Sequence, residues 1–166
     1  MTEEKEVLYE VTDHIATITL NRPERRNAIN EGIINGMNGG LDQADRDPAV
    51  SVVILTGSGG HFCSGADLGG RGFGGQQSFL ELHEDRGHYA QMLLNMNKCR
   101  KPILAAIEGY CLAGGMGLCL ASDLAIAHEE AQFGTPEIKR GLWPYMVTGF
   151  LIRSLGRKKA LELCLT

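Results

Sequence analysis

Apolar and polar residues alternate along two stretches near the start of the chain, 6–11 (EVLYEV) and 14–20 (HIATITL). A period of two turns one side of each stretch toward a core, and the Thr12-Asp13 step between them predicts a β-hairpin. Asn21-Arg22-Pro23 ends the second strand, because proline has no N–H to give a sheet. The period then lengthens. Within 25–47, Ile29, Ile33, Ile34, Met37 and Leu41 recur at helical spacing, closed by Asp47-Pro48. Gly32, Gly36, Gly39 and Gly40 interrupt this helix, each costing about 1 kcal/mol against alanine, so it must draw its stability from packing. Residues 50–55 (VSVVIL), 103–107 (ILAAI) and 123–127 (DLAIA) are apolar runs of buried-strand length. Residues 76–98 carry a helical apolar face that includes Phe79, Leu80, His83, Tyr89, Ala90, Met92, Leu93 and Met96. A last helical pattern, 145–166, breaks at Leu155-Gly156-Arg157. Strands alternating with helices predict an α/β fold with a mostly parallel sheet, without internal repeats.

Composition narrows the function classes. At 166 residues the chain suits one domain, 1–166, with a real core. Hydrophobic residues make up 43% and charged residues 22%, as in ordinary globular proteins. Twenty acidic against 16 basic side chains leave a charge of −4, which argues against a nucleic-acid or anionic-membrane partner. The start, MTEEKEVLYE, lacks the basic and apolar regions of a signal peptide, and no apolar run approaches the ~18 residues of a membrane span. The five cysteines (63, 99, 111, 119, 164) form no CxxC pair and no metal-ligand spacing. Most have apolar neighbours, and a reduced, cytoplasmic protein without a metal is expected. Glycine is the outlier at 22 residues, clustered at 32–40, 57–75 and 109–117.

The third glycine cluster, in 109–123 (GYCLAGGMGLCLASD), lies where a strand hands over to a helix. Two readings stand on these residues alone. The glycines allow a tight turn and close packing, or they let an anion reach the free N–H groups of the helix start. Phosphate loops are excluded: no GxxxxGK[ST] occurs, and neither GSGGHF nor GGMGLC completes GxGxxG. Phe62, two residues before Ser64, breaks the GxSxG of a serine-hydrolase elbow. His83 and His88 are five apart, not the four of a helical zinc pair. Two further features remain. SGADL (64–68) follows a buried strand, and Glu137 stands among apolar residues in AQFGTPEIKRGLWP. Two backbone turns could supply N–H donors to a carbonyl, and a desolvated carboxyl beside them has the raised pKa that suits proton transfer.

Taken together, NRPERRNA, HFCSGADL, KPILAAIEGYCLAGGMGL and AQFGTPEI-x-x-GLWP resemble, in order and over essentially the whole chain, the enoyl-CoA hydratase/isomerase (crotonase) family. The resemblance implies a ββα spiral of two sheets wrapped by helices, assembled as a homotrimer or hexamer. Its acyl-CoA substrate brings the coenzyme A, with no other cofactor. The implied oxyanion hole is the backbone N–H of Ala66 and of Gly114, with Glu137 as acid and base. Arg25, Arg26, Ala28, Ala66, Asp67, Leu68, Gly69 and Gly114 would line the coenzyme A site, with Arg25 or Arg26 facing its phosphates. The loop 69–78 would border and gate the acyl pocket, and Trp143 is either a wall of that pocket or a core residue.

One departure bears on the reaction. Hydratases of the family use two glutamates, and the first maps to Gly117 here. The expectation is therefore an isomerase rather than a hydratase, with a non-catalytic acyl-CoA- or partner-binding subunit as the alternative. An aspartate eight residues beyond the glutamate, the dienoyl-CoA isomerase pattern, is also missing, since that position is Tyr145. The family's further C-terminal helices have no counterpart after CLT, so the chain is expected to be the N-terminal core portion of such a spiral.

Overall fold

A computed structural model of the chain describes residues 5–69 and 79–166. Strands β1 (Val7–Thr12) and β2 (Ile15–Leu20) form the expected antiparallel hairpin, with Val7 opposite Leu20. Asp13 and His14 connect them with φ of 50° and 66°, the left-handed pair that a two-residue hairpin turn needs. After a 3-10 turn (Pro23–Arg25) come helix α1 (Glu31–Arg46) and strand β3 (Val52–Gly57). Helix α2 (Phe79–Lys98), β4 (Ile103–Ile107), β5 (Tyr110–Leu112) and α3 (Gly114–Ala121) follow. The chain continues through β6 (Leu124–Ala127), β7 (Gln132–Gly134), a 3-10 turn (Pro136–Arg140) and α4 (Tyr145–Leu165). At Gly156, φ 74° and ψ 159° break α4 where the sequence predicts a break.

The main sheet has the order β1-β2-β3-β4-β6, parallel from β2 onward. The fold is α/β, as expected. β5 and β7 form a separate parallel pair that periodicity does not reveal, because three-residue strands are too short to show a period. The alternation in β2, β3 and β4 buries Ala16, Ile18, Leu20, Val53, Leu55, Ile103, Ala105 and Ile107. Ile33, Met37 and Leu41 of α1 and Met92, Leu93 and Met96 of α2 complete this core. At Gly36 a Cβ would collide with the side chain of Val7, so the glycines of α1 let it lie close on the hairpin.

The first helix starts later than the period of isoleucines implies. Asn30 is its N-cap, with Oδ1 accepting the Ile33 N–H at 2.9 Å and Nδ2 donating to Glu6. Ile29 therefore lies outside the helix. Asn30→Ala is expected to lower stability by about 1 kcal/mol, read as a reduced urea midpoint with an unchanged m-value.

At the far edge of the sheet every residue of β6 is exposed, Leu124 at 63% and Ile126 at 65%. Among the described residues, no helix is long and apolar enough to cross a membrane.

Candidate active site

The stretch after β3 is held from two sides. Cys63 donates its N–H to Tyr110 O (2.8 Å) and accepts from Leu112 N–H (2.9 Å), which fastens it to β5. Two residues later the Ile29 N–H donates to Gly65 O (2.8 Å) and the Asp67 N–H to Ile29 O (2.9 Å). Ser64-Gly65-Ala66 is the turn between these fastenings. Gly65 has a φ of 99°, and a Cβ there would lie 2.7 Å from the Ala113 Cβ and 3.4 Å from the Gly114 nitrogen. Only glycine lets the turn approach the start of α3 so closely.

Arg22 clamps this turn. Its guanidinium donates to Asp67 Oδ2 (2.9 Å) and Ala28 O (2.7 Å), and pairs with Glu6 (2.9 Å). Burial works to raise the Asp67 pKa, but Arg22 and the Gly69 N–H outweigh it and hold the carboxyl below its ordinary value.

On the other side, Ala113 enters α3 with φ 50° and ψ −116°, a conformation that non-glycine residues rarely adopt. Its N–H is tied to Gly134 O of β7 at 2.9 Å. Gly114 then opens the helix, where the first N–H groups lack intrahelical partners. Neither the Ala66 N–H nor the Gly114 N–H donates to a partner among the described residues. Two backbone donors on adjoining turns, one carrying the positive end of a helix dipole, can stabilise an oxygen that gains negative charge.

Glu137 belongs to the second 3-10 turn. Thr135 anchors it from one end, donating its hydroxyl to Leu163 O in α4. Gly141, at φ 68°, closes the other end with its N–H on the Glu137 and Ile138 carbonyls. The Glu137 side chain is half-buried, and its Oε2 has no hydrogen-bond partner among the described residues. Burial raises its pKa, with a smaller opposing effect from its own N–H.

Tyr89 of α2 packs against the start of α3. It is 7% exposed, and its hydroxyl donates to Gly114 O at 2.7 Å. Its phenol is held well above pH 10 by burial first, then by the charges of Cys63 and Glu137. A Cβ at Gly117 would overlap the Tyr89 hydroxyl and lie 3.2 Å from Cζ. The space next to position 117 is thus occupied by a tyrosine.

The remaining expected residues divide into groups. Arg25 and Arg26 are exposed around the first 3-10 turn, and the Arg26 guanidinium lies 5.2 Å over the Tyr110 ring, which stacks on His61. Ala28 is buried, with its carbonyl on Arg22. Leu68 is exposed, and the Gly69 N–H donates to Asp67 Oδ1. Asp67 is engaged by Arg22, so it shapes the Ala66 turn. Trp143 is partly buried and packs against the core. Of the loop 69–78, all but Gly69 lies outside the described residues. A polar groove of about 590 Å³ lined by Gly60, Glu108, Gly109, His128, Glu130 and Gln132 contains none of these groups. Among the described residues, no cluster of three His, Cys, Asp or Glu side chains is set to hold a metal.

Sequence reasoning missed two contributors. Ile29 fits the helical period but forms the bridge to Ala66, and its Cδ1 would meet a Cβ at Gly114 at 3.0 Å. Tyr89 counted only as part of an apolar helix face. The absence of a side chain at Gly117 was the one available hint that something else fills that space.

Known proteins share this arrangement of the chain. The sequence model of the family described as "Enoyl-CoA hydratase/isomerase" matches residues 10–166. The "Probable enoyl-CoA hydratase, mitochondrial" of Dictyostelium discoideum is 39% identical over 157 residues, covering 92% of this chain and 53% of that protein. The "Mevalonyl-coenzyme A hydratase sidH" of Aspergillus fumigatus is 37% identical over 164 residues, covering 93% and 57%. Among solved structures, an enoyl-CoA hydratase from Shewanella pealeana aligns with a TM-score of 0.91 at 28% identity, covering 96% of this chain and 60% of that one. An enoyl-CoA hydratase/isomerase from Xanthobacter autotrophicus aligns at 0.86 and 37% identity, covering 96% and 59%. The chain spans a little over half the length of these curated relatives. With the family model matched from the hairpin through α4 and the same fold in solved relatives, the chain belongs to the enoyl-CoA hydratase/isomerase family.

Proposed function

We propose that this chain carries the enolate-forming centre of an acyl-CoA enzyme that works with one acid–base group and shifts a double bond in preference to adding water. The observation that supports it is that two backbone N–H groups, on Ala66 and Gly114, have no partner among the described residues, in a chain that also carries one desolvated carboxyl, Glu137. In this reading the thioester oxygen of a 3-enoyl-CoA accepts from both N–H groups. Glu137, ionised, removes a proton from C2. The electron pair moves from C2 onto the thioester oxygen, forming a dienolate that the two donors stabilise, and conjugation with the C3–C4 double bond shares its charge with C4. Glu137 returns the same proton at C4, leaving the double bond between C2 and C3. Atoms and charge balance without a further reactant, and coenzyme A enters only as part of the substrate.

Adding water asks for more. Water must be held and deprotonated at C3 while C2 is protonated, and a second carboxylate shares that work in two-glutamate sites. Gly117 supplies none. The printed names of the curated relatives favour hydration, which makes product analysis the decisive test. Purified protein given 3-enoyl-CoA is expected to form the 2-enoyl isomer, and given 2-enoyl-CoA to form little 3-hydroxyacyl-CoA. Hydration as fast as isomerisation would overturn the preference. Tight acyl-CoA binding without turnover on either substrate would instead point to a binding subunit.

A further inference from the structure

Tyr89 has no part in the chemistry just described, yet it touches both glycines of the α3 start that matter to it. Its hydroxyl donates to Gly114 O at 2.7 Å, and the same oxygen fills the volume that any side chain at Gly117 would enter. Leu93, one turn further along α2, closes that volume from beside it, 3.4 Å from a Cβ at Gly117. The tyrosine is buried among core residues, so its ring cannot swing aside without opening the seam between α2 and α3. The carbonyl that it binds belongs to the residue whose N–H is the second oxyanion donor.

Building on the enolate-forming reading, we propose that Tyr89 is the positioning and reaction-selecting residue of this site. Its hydroxyl holds the 114–115 peptide, next to the one that carries the Gly114 N–H, and so anchors the first turn of α3 on which that donor sits, while its bulk excludes a second carboxylate from position 117. Both effects arise from one side chain. A hydrogen bond to the carbonyl of the first helical residue restrains rotation about that residue's Cα–C bond, and the donor N–H on its other side is held through the anchored turn. Filling the space beside Gly117 leaves Glu137 as the single proton carrier and so selects double-bond shift over hydration.

A 3-oxoacyl-CoA is a suitable probe, because its enolate absorbs in the near ultraviolet and is favoured wherever the thioester oxygen is well held. Tyr89→Phe keeps the ring and the packing and removes only the hydrogen bond. It is expected to reduce the enolate band of the bound probe and to lower kcat for isomerisation on the order of ten- to a hundredfold, with KM little changed. The second variant is the pair Tyr89→Ala with Gly117→Glu. Gly117→Glu alone is expected to lower the melting temperature, since the new side chain meets the tyrosine. Adding Tyr89→Ala should restore part of that loss and raise hydration of 2-enoyl-CoA at least tenfold over the parent. An enolate band that Tyr89→Phe leaves at full strength, or additive melting shifts in the pair with no gain in hydration, would overturn the proposal while leaving the oxyanion site intact. No enolate band in the parent would overturn the reading of the site itself, and this proposal with it.

Discussion

Glu137→Gln is expected to abolish most isomerisation, lowering kcat by about 10²–10⁴, the usual contribution of a positioned acid–base group. Glutamine keeps the size and polarity of the side chain but cannot take up the proton, so binding of acyl-CoA should change little. The pH profile gives a second check. Burial raises the Glu137 pKa above its ordinary 4.5, and the group must be ionised to act as base. Activity should therefore fall, as pH drops, at a pH higher than that of an ordinary carboxylate. Stability should move the opposite way. A carboxyl whose pKa is raised in the fold binds its proton more tightly there than in the unfolded chain. Its charge thus weakens the fold above the raised pKa, and that penalty vanishes below the ordinary value. Glu137→Gln should consequently melt no lower than the parent at neutral pH, and any gain should disappear in acid. Full turnover by the variant on every accepted acyl-CoA would refute the role assigned to Glu137.

The second large effect is expected from a residue that carries no side chain. Gly65→Ala should lower kcat by about 10²–10³, the loss typical of one oxyanion donor. The added methyl would lie 2.7 Å from the Ala113 Cβ and force a φ of 99° on alanine. The turn must move, and the Ala66 N–H moves with it. Ala66→Ser is the control. It alters a side chain next to the donor without touching the donor, and should retain kcat within a few-fold. Steady-state kinetics on one acyl-CoA distinguishes the two, with circular dichroism to verify that both variants are folded. Equal rates for Gly65→Ala and the parent would remove the Ala66 turn from the mechanism.

Much of the fold was legible because its long elements carry strong periods. The alternation in β2 and β3 and the spacing of Ile33, Met37 and Leu41 reappear as buried positions. What stayed hidden was short or non-local. β5 and β7 have three residues each and owe their existence to each other and to the Cys63 stretch. Ile29 fits a helix but is claimed by Ala66, because Asn30 caps the helix one residue later. For the site, family resemblance pointed to Ala66, Gly114 and Glu137, and the geometry adds why they are held. The Arg22–Asp67 pair joins residues 45 positions apart, and Tyr89 meets Gly114 across 25. No local pattern encodes such meetings.

The open β6 edge has a consequence for how this chain behaves at concentration. A strand without a partner on one side among the described residues, and with Leu124 and Ile126 exposed, is a template on which another strand can pair. Association there grows with the square of concentration, whereas the enolate chemistry proposed for Ala66 and Gly114 would be a property of single molecules. Pairing at β6 should thus appear as a sedimentation coefficient that rises with concentration while activity per molecule stays the same.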